Sequence, residues 1–69
     1  MRYRIVKIEL ETSGRNISSV EYLTRREAIL EAQRSAELFG GGFEFNEHTE
    51  EWIAKDLNGR EYLIFIVEA

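Results

Sequence analysis

The stretch Glu51-Trp52-Ile53-Ala54-Lys55-Asp56-Leu57-Asn58-Gly59-Arg60-Glu61-Tyr62-Leu63-Ile64-Phe65-Ile66-Val67 decides the fold. Two runs rich in β-branched and aromatic residues flank a turn signal, Asp56-Leu57-Asn58-Gly59, which predicts a β-hairpin. Two registers compete. A two-residue Asn-Gly turn would set Asp56 against Glu61, a repulsive pair, whereas a type I turn with Gly59 in a bulge pairs Asp56 with Arg60 and Lys55 with Glu61. The second register is preferred. It sorts the hairpin into two faces, with Ile53, Leu63, Phe65 and Val67 on one and Trp52, Ala54, Tyr62, Ile64 and Ile66 on the other. Both faces are apolar, and a wet sheet face ordinarily carries polar residues.

Upstream, Phe43-Glu44-Phe45-Asn46 alternates and predicts a short third strand. Before it, Thr24-Arg25-Arg26-Glu27 matches a capping box, in which the threonine hydroxyl accepts from the third helical amide while the glutamate reaches back to the cap. From there Ala28, Ile29, Ala32, Ala36 and Phe39 fall within an arc of about 100°, the width of a core-facing stripe. Gly40-Gly41-Gly42 ends the helix. Leu30 and Leu38 lie off the stripe, among Arg26, Arg34 and Glu37. At the N-terminal end, Val6, Ile8 and Leu10 alternate with Ile5, Lys7, Glu9 and Glu11 as a strand. After the turn residues Thr12 to Asn16, Ile17 to Tyr22 reads as the returning strand, with Val20 and Tyr22 on one face.

The expected architecture is therefore α+β, ββαβββ, an antiparallel sheet of about five strands with one helix on one face. Sixty-nine residues allow one domain, residues 1–69. Its helix is expected on the face of Ile53, Leu63, Phe65 and Val67. The opposite face then needs covering, most economically by a second copy, so a homodimer is expected through Trp52, Tyr62, Ile64 and Ile66 with Tyr3 or Ile5.

Composition narrows the functional classes. There is no cysteine, hence no disulfide framework and no thiolate metal site. The longest apolar run, Tyr62 to Val67, is too short to span a bilayer. Met1-Arg2-Tyr3-Arg4 leads into alternating residues and not into an apolar signal segment, so a cytoplasmic protein is expected.

The net charge of −4 hides an asymmetry. Residues 1–34 carry a balance of +2 and residues 35–69 a balance of −6, densest at Glu44, Glu47, Glu50 and Glu51 around His48. Such a cluster repels phosphate and attracts basic surfaces, which makes those four glutamates the candidate partner-binding residues and nucleic acid an unfavoured partner. The alternative is a nucleic-acid-binding or regulatory module using Arg2, Arg4, Lys7, Arg25 and Arg26.

No catalytic constellation is expected. The single histidine sits among glutamates, and no serine has a neighbouring base in sequence. The glutamate spacing does not fit a calcium loop, and the triple glycine follows a helix where a phosphate loop would precede one, so neither metal nor cofactor is expected. Gly42-Phe43-Glu44-Phe45 has the alternating aromatics of an RNA-recognition strand, but Glu44 and Gly41 stand where small and basic residues belong. Phe43 and Phe45 are expected in the core.

Trp52-Ile53-Ala54-Lys55 followed by Asn58-Gly59-Arg60-Glu61-Tyr62 resembles the closing hairpin of small phage anti-CRISPR proteins that act on type I surveillance complexes, and the preceding strand, cap and helix fall in a similar order. The resemblance implies a non-catalytic inhibitor that docks on a Cas subunit and blocks target DNA or a required rearrangement. It brings no catalytic residues to carry over. The chain is also similar in element order to bacterial domains with two strands, a helix and a closing hairpin.

Overall fold

The computed structural model describes residues 1–68. Its elements are β1 (Tyr3–Glu9), β2 (Arg15–Ile17), α1 (Arg25–Leu38), β3 (Gly40–Asn46), β4 (Glu51–Asp56) and β5 (Glu61–Glu68). The strands form one antiparallel sheet in the order β2-β1-β5-β4-β3, and α1 packs across it, an α+β fold of the expected composition. The C-terminal strand is thus central, locked between the N-terminal strand and its own hairpin partner.

The closing hairpin adopts the preferred register. Lys55 stands opposite Glu61, the Asp56 amide donates to the Arg60 carbonyl (3.0 Å), and the Gly59 amide donates to the Asp56 carbonyl (3.1 Å). Gly59 is left-handed at φ 82°, the bulge conformation that glycine adopts without a Cβ clash. The Asp56 carboxylate organises the turn: Oδ1 accepts from the amides of Asn58 (2.8 Å) and Arg60 (3.0 Å), and Oδ2 accepts from the Tyr62 hydroxyl (3.1 Å).

Thr24 caps α1, its Oγ1 accepting from the Glu27 amide at 3.2 Å. The reciprocal half of the box differs from expectation, because the Glu27 carboxylate accepts the Thr24 hydroxyl proton (3.2 Å) in place of the cap amide. The helix stops at Leu38, and β3 begins at once with Gly40. Gly41 is required by close approach: a Cβ there would stand 2.5 Å from the Asp56 carbonyl oxygen and 2.7 Å from that of Lys55. This close contact makes strand three longer than the sequence predicts, reaching back through the glycines to Gly40, with a bulge between Gly40 and Phe43.

The N-terminal hairpin is shorter on its return than expected. β2 ends at Ile17 because the Ser18 hydroxyl is drawn inward, accepting from the Ile5 amide (3.1 Å) and donating to the Val20 carbonyl (3.0 Å). The chain then runs beside β1 to an isolated bridge in which Tyr3 and Tyr22 exchange both backbone hydrogen bonds (2.9 and 2.8 Å).

The helix lies on the opposite face from the one expected. Ala28, Ala32 and Ala36 are fully buried. The core beneath the helix is Ile5, Trp52, Ala54 and Ile64, with Tyr22, Ile29, Phe39 and Ile66 packed around it. The residues expected to form a dimer interface, Trp52, Tyr62, Ile64 and Ile66, with Tyr3 and Ile5, therefore share the helix-covered face. Trp52 and Ile64 are 1% and 0% exposed within one chain. The physical reason is volume. A helix stripe of alanines fills almost no space, so the bulk must come from the sheet, and the face with tryptophan, tyrosine and two isoleucines supplies it while Ala54 admits the helix closely. Phe39 adds to this layer by stacking on Tyr62, with centroids 4.2 Å apart and planes inclined by 13°.

Candidate protein-binding surfaces

Two surfaces stand out beside the core: the acidic hairpin β3–β4, and the sheet face turned away from the helix.

β3 is an edge strand, exposed along its whole length. Phe43 and Phe45, expected in the core, stand at its margin, 37% and 43% exposed. They face the helix side, opposite Ala54 and Trp52, and Phe45 packs on Trp52 with ring centroids 4.7 Å apart. One helix cannot reach across five strands at about 4.8 Å spacing, so the outermost aromatics stay partly wet.

The hairpin turn is built on Asn46. Its side-chain oxygen accepts from the amides of His48 (2.9 Å) and Thr49 (3.4 Å), and its carbonyl accepts from the Glu50 amide (2.8 Å). Glu50 takes the left-handed conformation, φ 55°, and its carboxylate pairs with Arg25 in the first turn of α1. The four glutamates thus divide. Glu50 fastens the turn to the helix. Glu44 lies in register with Ile53, and Glu51 with Asn46, on the face away from the helix, while Glu47 sits in the exposed turn.

The basic residues are similarly divided. Arg4 bonds Glu21 at 3.1 Å, with Arg2 3.5 Å from the same carboxylate, and Arg60 lies 3.5 Å from Glu9. Arg2, Arg4 and Arg25, three of the five cations that a nucleic-acid reading would use, are each set against a glutamate. The pairing of Glu21 ties the segment after β2 back onto β1, and it was invisible in sequence because the partners are seventeen residues apart.

His48 borders a shallow depression with Glu44, Phe45, Asn46, Glu47 and Ile53, a lining that contains no serine or threonine. Among the described residues, no group of three His, Cys, Asp or Glu side chains is arranged to hold a metal ion. No helix among them is long and apolar enough to cross a membrane.

One pair of titrating groups stands out, at the far end of β4. Burial raises the Asp56 carboxyl, but the amides of Arg60 and Asn58, the Tyr62 hydroxyl and the Arg60 charge outweigh it and hold Asp56 below the usual carboxylate range. The Tyr62 hydroxyl is pushed up, by burial first and then by its bond to Asp56. Both effects belong to the hairpin's architecture, since the bond between them seals the turn.

The second surface is the uncovered sheet face. Register places Val6, Ile8, Ile17, Ile53, Leu63, Phe65 and Val67 on it. Ile17 and Ile53 are 50% and 40% exposed, while Ile8, Leu63, Phe65 and Val67 are half-buried. Val6, between Ile17 and Phe65 in register, is 1% exposed. Sequence reasoning grouped Ile53, Leu63, Phe65 and Val67 on one face but placed the helix on it, because both faces of the closing hairpin carry the same apolar pattern; Val6, Ile8 and Ile17 join that face only through the strand pairing.

Comparison of the chain with protein-family models, with curated proteins and with solved structures gives no match.

Proposed function

We propose that the protein is a non-catalytic, protein-binding inhibitor or adaptor that meets a basic surface of its partner through the β3–β4 hairpin. The observation that carries this reading is the exposed edge strand ending in an acidic turn, with Glu47 in the turn and Glu44 and Glu51 at its base. A negative hairpin of this kind steers encounter with positive surfaces and disfavours phosphate. Glu50 acts differently from its neighbours: paired to Arg25, it sets the direction of the turn against the helix. Pairing of Arg2, Arg4 and Arg25 with glutamates supports this reading over a nucleic-acid-binding module. The sharper form follows the resemblance of the closing hairpin: an anti-CRISPR protein occupying a DNA-binding Cas subunit of a type I surveillance complex.

The test is electrophoretic mobility of target DNA with and without a type I surveillance complex. The isolated protein is expected to leave DNA unshifted and to suppress the shift caused by the complex, with suppression lost in Glu47→Lys combined with Glu51→Lys. Tight binding of the isolated protein to DNA, falling steeply with salt, contradicts the reading. Absence of suppression with type I complexes removes the sharper form.

A further inference from the structure

The uncovered face has a symmetry that the strand order makes visible. Arg15 on β2 pairs in register with Ile8 on β1, Ile8 with Leu63 on β5, Leu63 with Ile53 on β4, and Ile53 with Glu44 on β3. One row therefore crosses the whole sheet as Arg-Ile-Leu-Ile-Glu. It is centred on Leu63 of the central strand, with a cation and an anion two strands away on either side. Arg15 and Glu44 are both exposed, and among the described residues neither has an ion-pair partner.

We propose that this face is a two-fold interface with a second copy of the chain, its axis running along β5. A rotation about that axis turns one sheet over onto the other and carries the β3 edge above the β2 edge. Leu63 then meets Leu63 of the second copy, Ile8 meets Ile53, and Arg15 meets Glu44, twice by symmetry. An isologous interface must be complementary to itself, and this row is. The other two-fold available to stacked sheets, perpendicular to the strands, sets Arg15 over Arg15 and Glu44 over Glu44, so charge selects the first.

The geometry is that of an aligned sandwich, with sheets about 10 Å apart and strands inclined by about 30°. Arg15 and Glu44 lie about 9.6 Å from the axis at normal strand spacing, so the inclination displaces the two ends by about 5 Å, within the reach of an arginine side chain. Glu61 at the end of β5 approaches its own copy, with Lys55 in register beside it to offset the repulsion. Five strands of about five residues cover roughly 20 by 17 Å, about 340 Å² of flat area per copy and about 700 Å² over the pair, below the roughly 1,000 Å² of stable specific interfaces, so the association is a weak one. Association in the micromolar range is expected. The interface shares Glu44 with the acidic hairpin, and Glu51 borders it on the same face, whereas Glu47 lies in the turn beyond the row, so Glu47 distinguishes the two readings.

Sedimentation equilibrium of the full chain tests it. The wild type is expected to pass from 8.1 kDa to twice that mass as concentration rises through the micromolar range. Arg15→Glu and Glu44→Arg, both at exposed edge positions, are each expected to weaken association at least tenfold, and the double exchange to restore it. Mixing the two single variants is expected to restore it as well, through heterodimers in which every facing pair is again opposite in charge. Within one chain the two residues are four strands apart, so rescue cannot come from folding. Glu47→Lys is expected to leave the dimer intact. A wild type that stays monomeric at millimolar concentration overturns the proposal. So do single variants that associate like the wild type, or a double exchange that does not rescue.

Discussion

Trp52 on β4 and Ile64 on β5 stand directly opposite each other in the sheet, and both are sealed beneath the helix. Ala32 and Ala36 belong to the same buried cluster, so large side chains come from the sheet and small ones from the helix. Trp52→Ala should cost about 3–5 kcal/mol, and a domain of this size holds only about 3–5 in total. The variant is expected to be largely unfolded at 25 °C by circular dichroism. Ala32→Leu, which inserts volume at a fully buried position of the helix stripe, should cost about 1–3 kcal/mol in urea denaturation.

Gly41 and Gly59 are favoured at their positions for different reasons. At Gly41 a methyl group would strike the backbone carbonyls of Lys55 and Asp56. Gly41→Ala should therefore detach the start of β3 from β4, seen as loss of amide-exchange protection there. Gly59→Ala meets no atom within 4 Å but must hold φ 82°, and should cost about 1–2 kcal/mol by denaturation while leaving the sheet intact.

Asp56 makes part of the stability acid-sensitive. Its carboxyl titrates below the usual range in the folded chain, so its contribution is complete above the unfolded-state value of about 4 and disappears as pH falls through the folded value. The urea midpoint of the wild type should drop between neutral and strongly acid solution by more than that of Asp56→Asn. Equal drops would remove Asp56 as the source.

At the start of the helix, Thr24→Ala removes the hydroxyl that accepts the Glu27 amide, with an expected loss of about 1 kcal/mol. Glu50→Gln, which weakens an exposed pair with Arg25, should cost less than about 1 kcal/mol. Thermal melts of the two variants should fall in that order.

The parts of the fold that were legible in sequence were those fixed by neighbours along the chain. The hairpin register followed from Asp56, Asn58 and Gly59, and the helix start from Thr24 and Glu27, because a turn or a cap is satisfied within four residues. The return strand was misjudged for a local reason that alternation hides: Ser18 bonds the Ile5 amide and turns the chain away at Ile17. The choice of sheet face was not legible, since Ile53-Leu63-Phe65-Val67 and Trp52-Ala54-Tyr62-Ile64-Ile66 are equally apolar and only the volume left by the alanine stripe distinguishes them. In the acidic cluster the charges were plain. The capture of Glu50 by Arg25, twenty-five residues away, was not.

Leu63 and Ile64 are neighbours on the central strand that point to opposite sides, and both the core and the proposed interface rest on that division. The most direct measurement is the thermal unfolding of Leu63→Glu beside that of Ile64→Glu, followed by far-ultraviolet circular dichroism. Ile64→Glu places a carboxylate in a site with no exposure, at a cost of several kcal/mol, and should abolish the cooperative transition. Leu63→Glu should keep a native spectrum and a cooperative melt as a monomer. A folded Ile64→Glu beside an unfolded Leu63→Glu would contradict the account, placing the core on the face assigned here to the second copy.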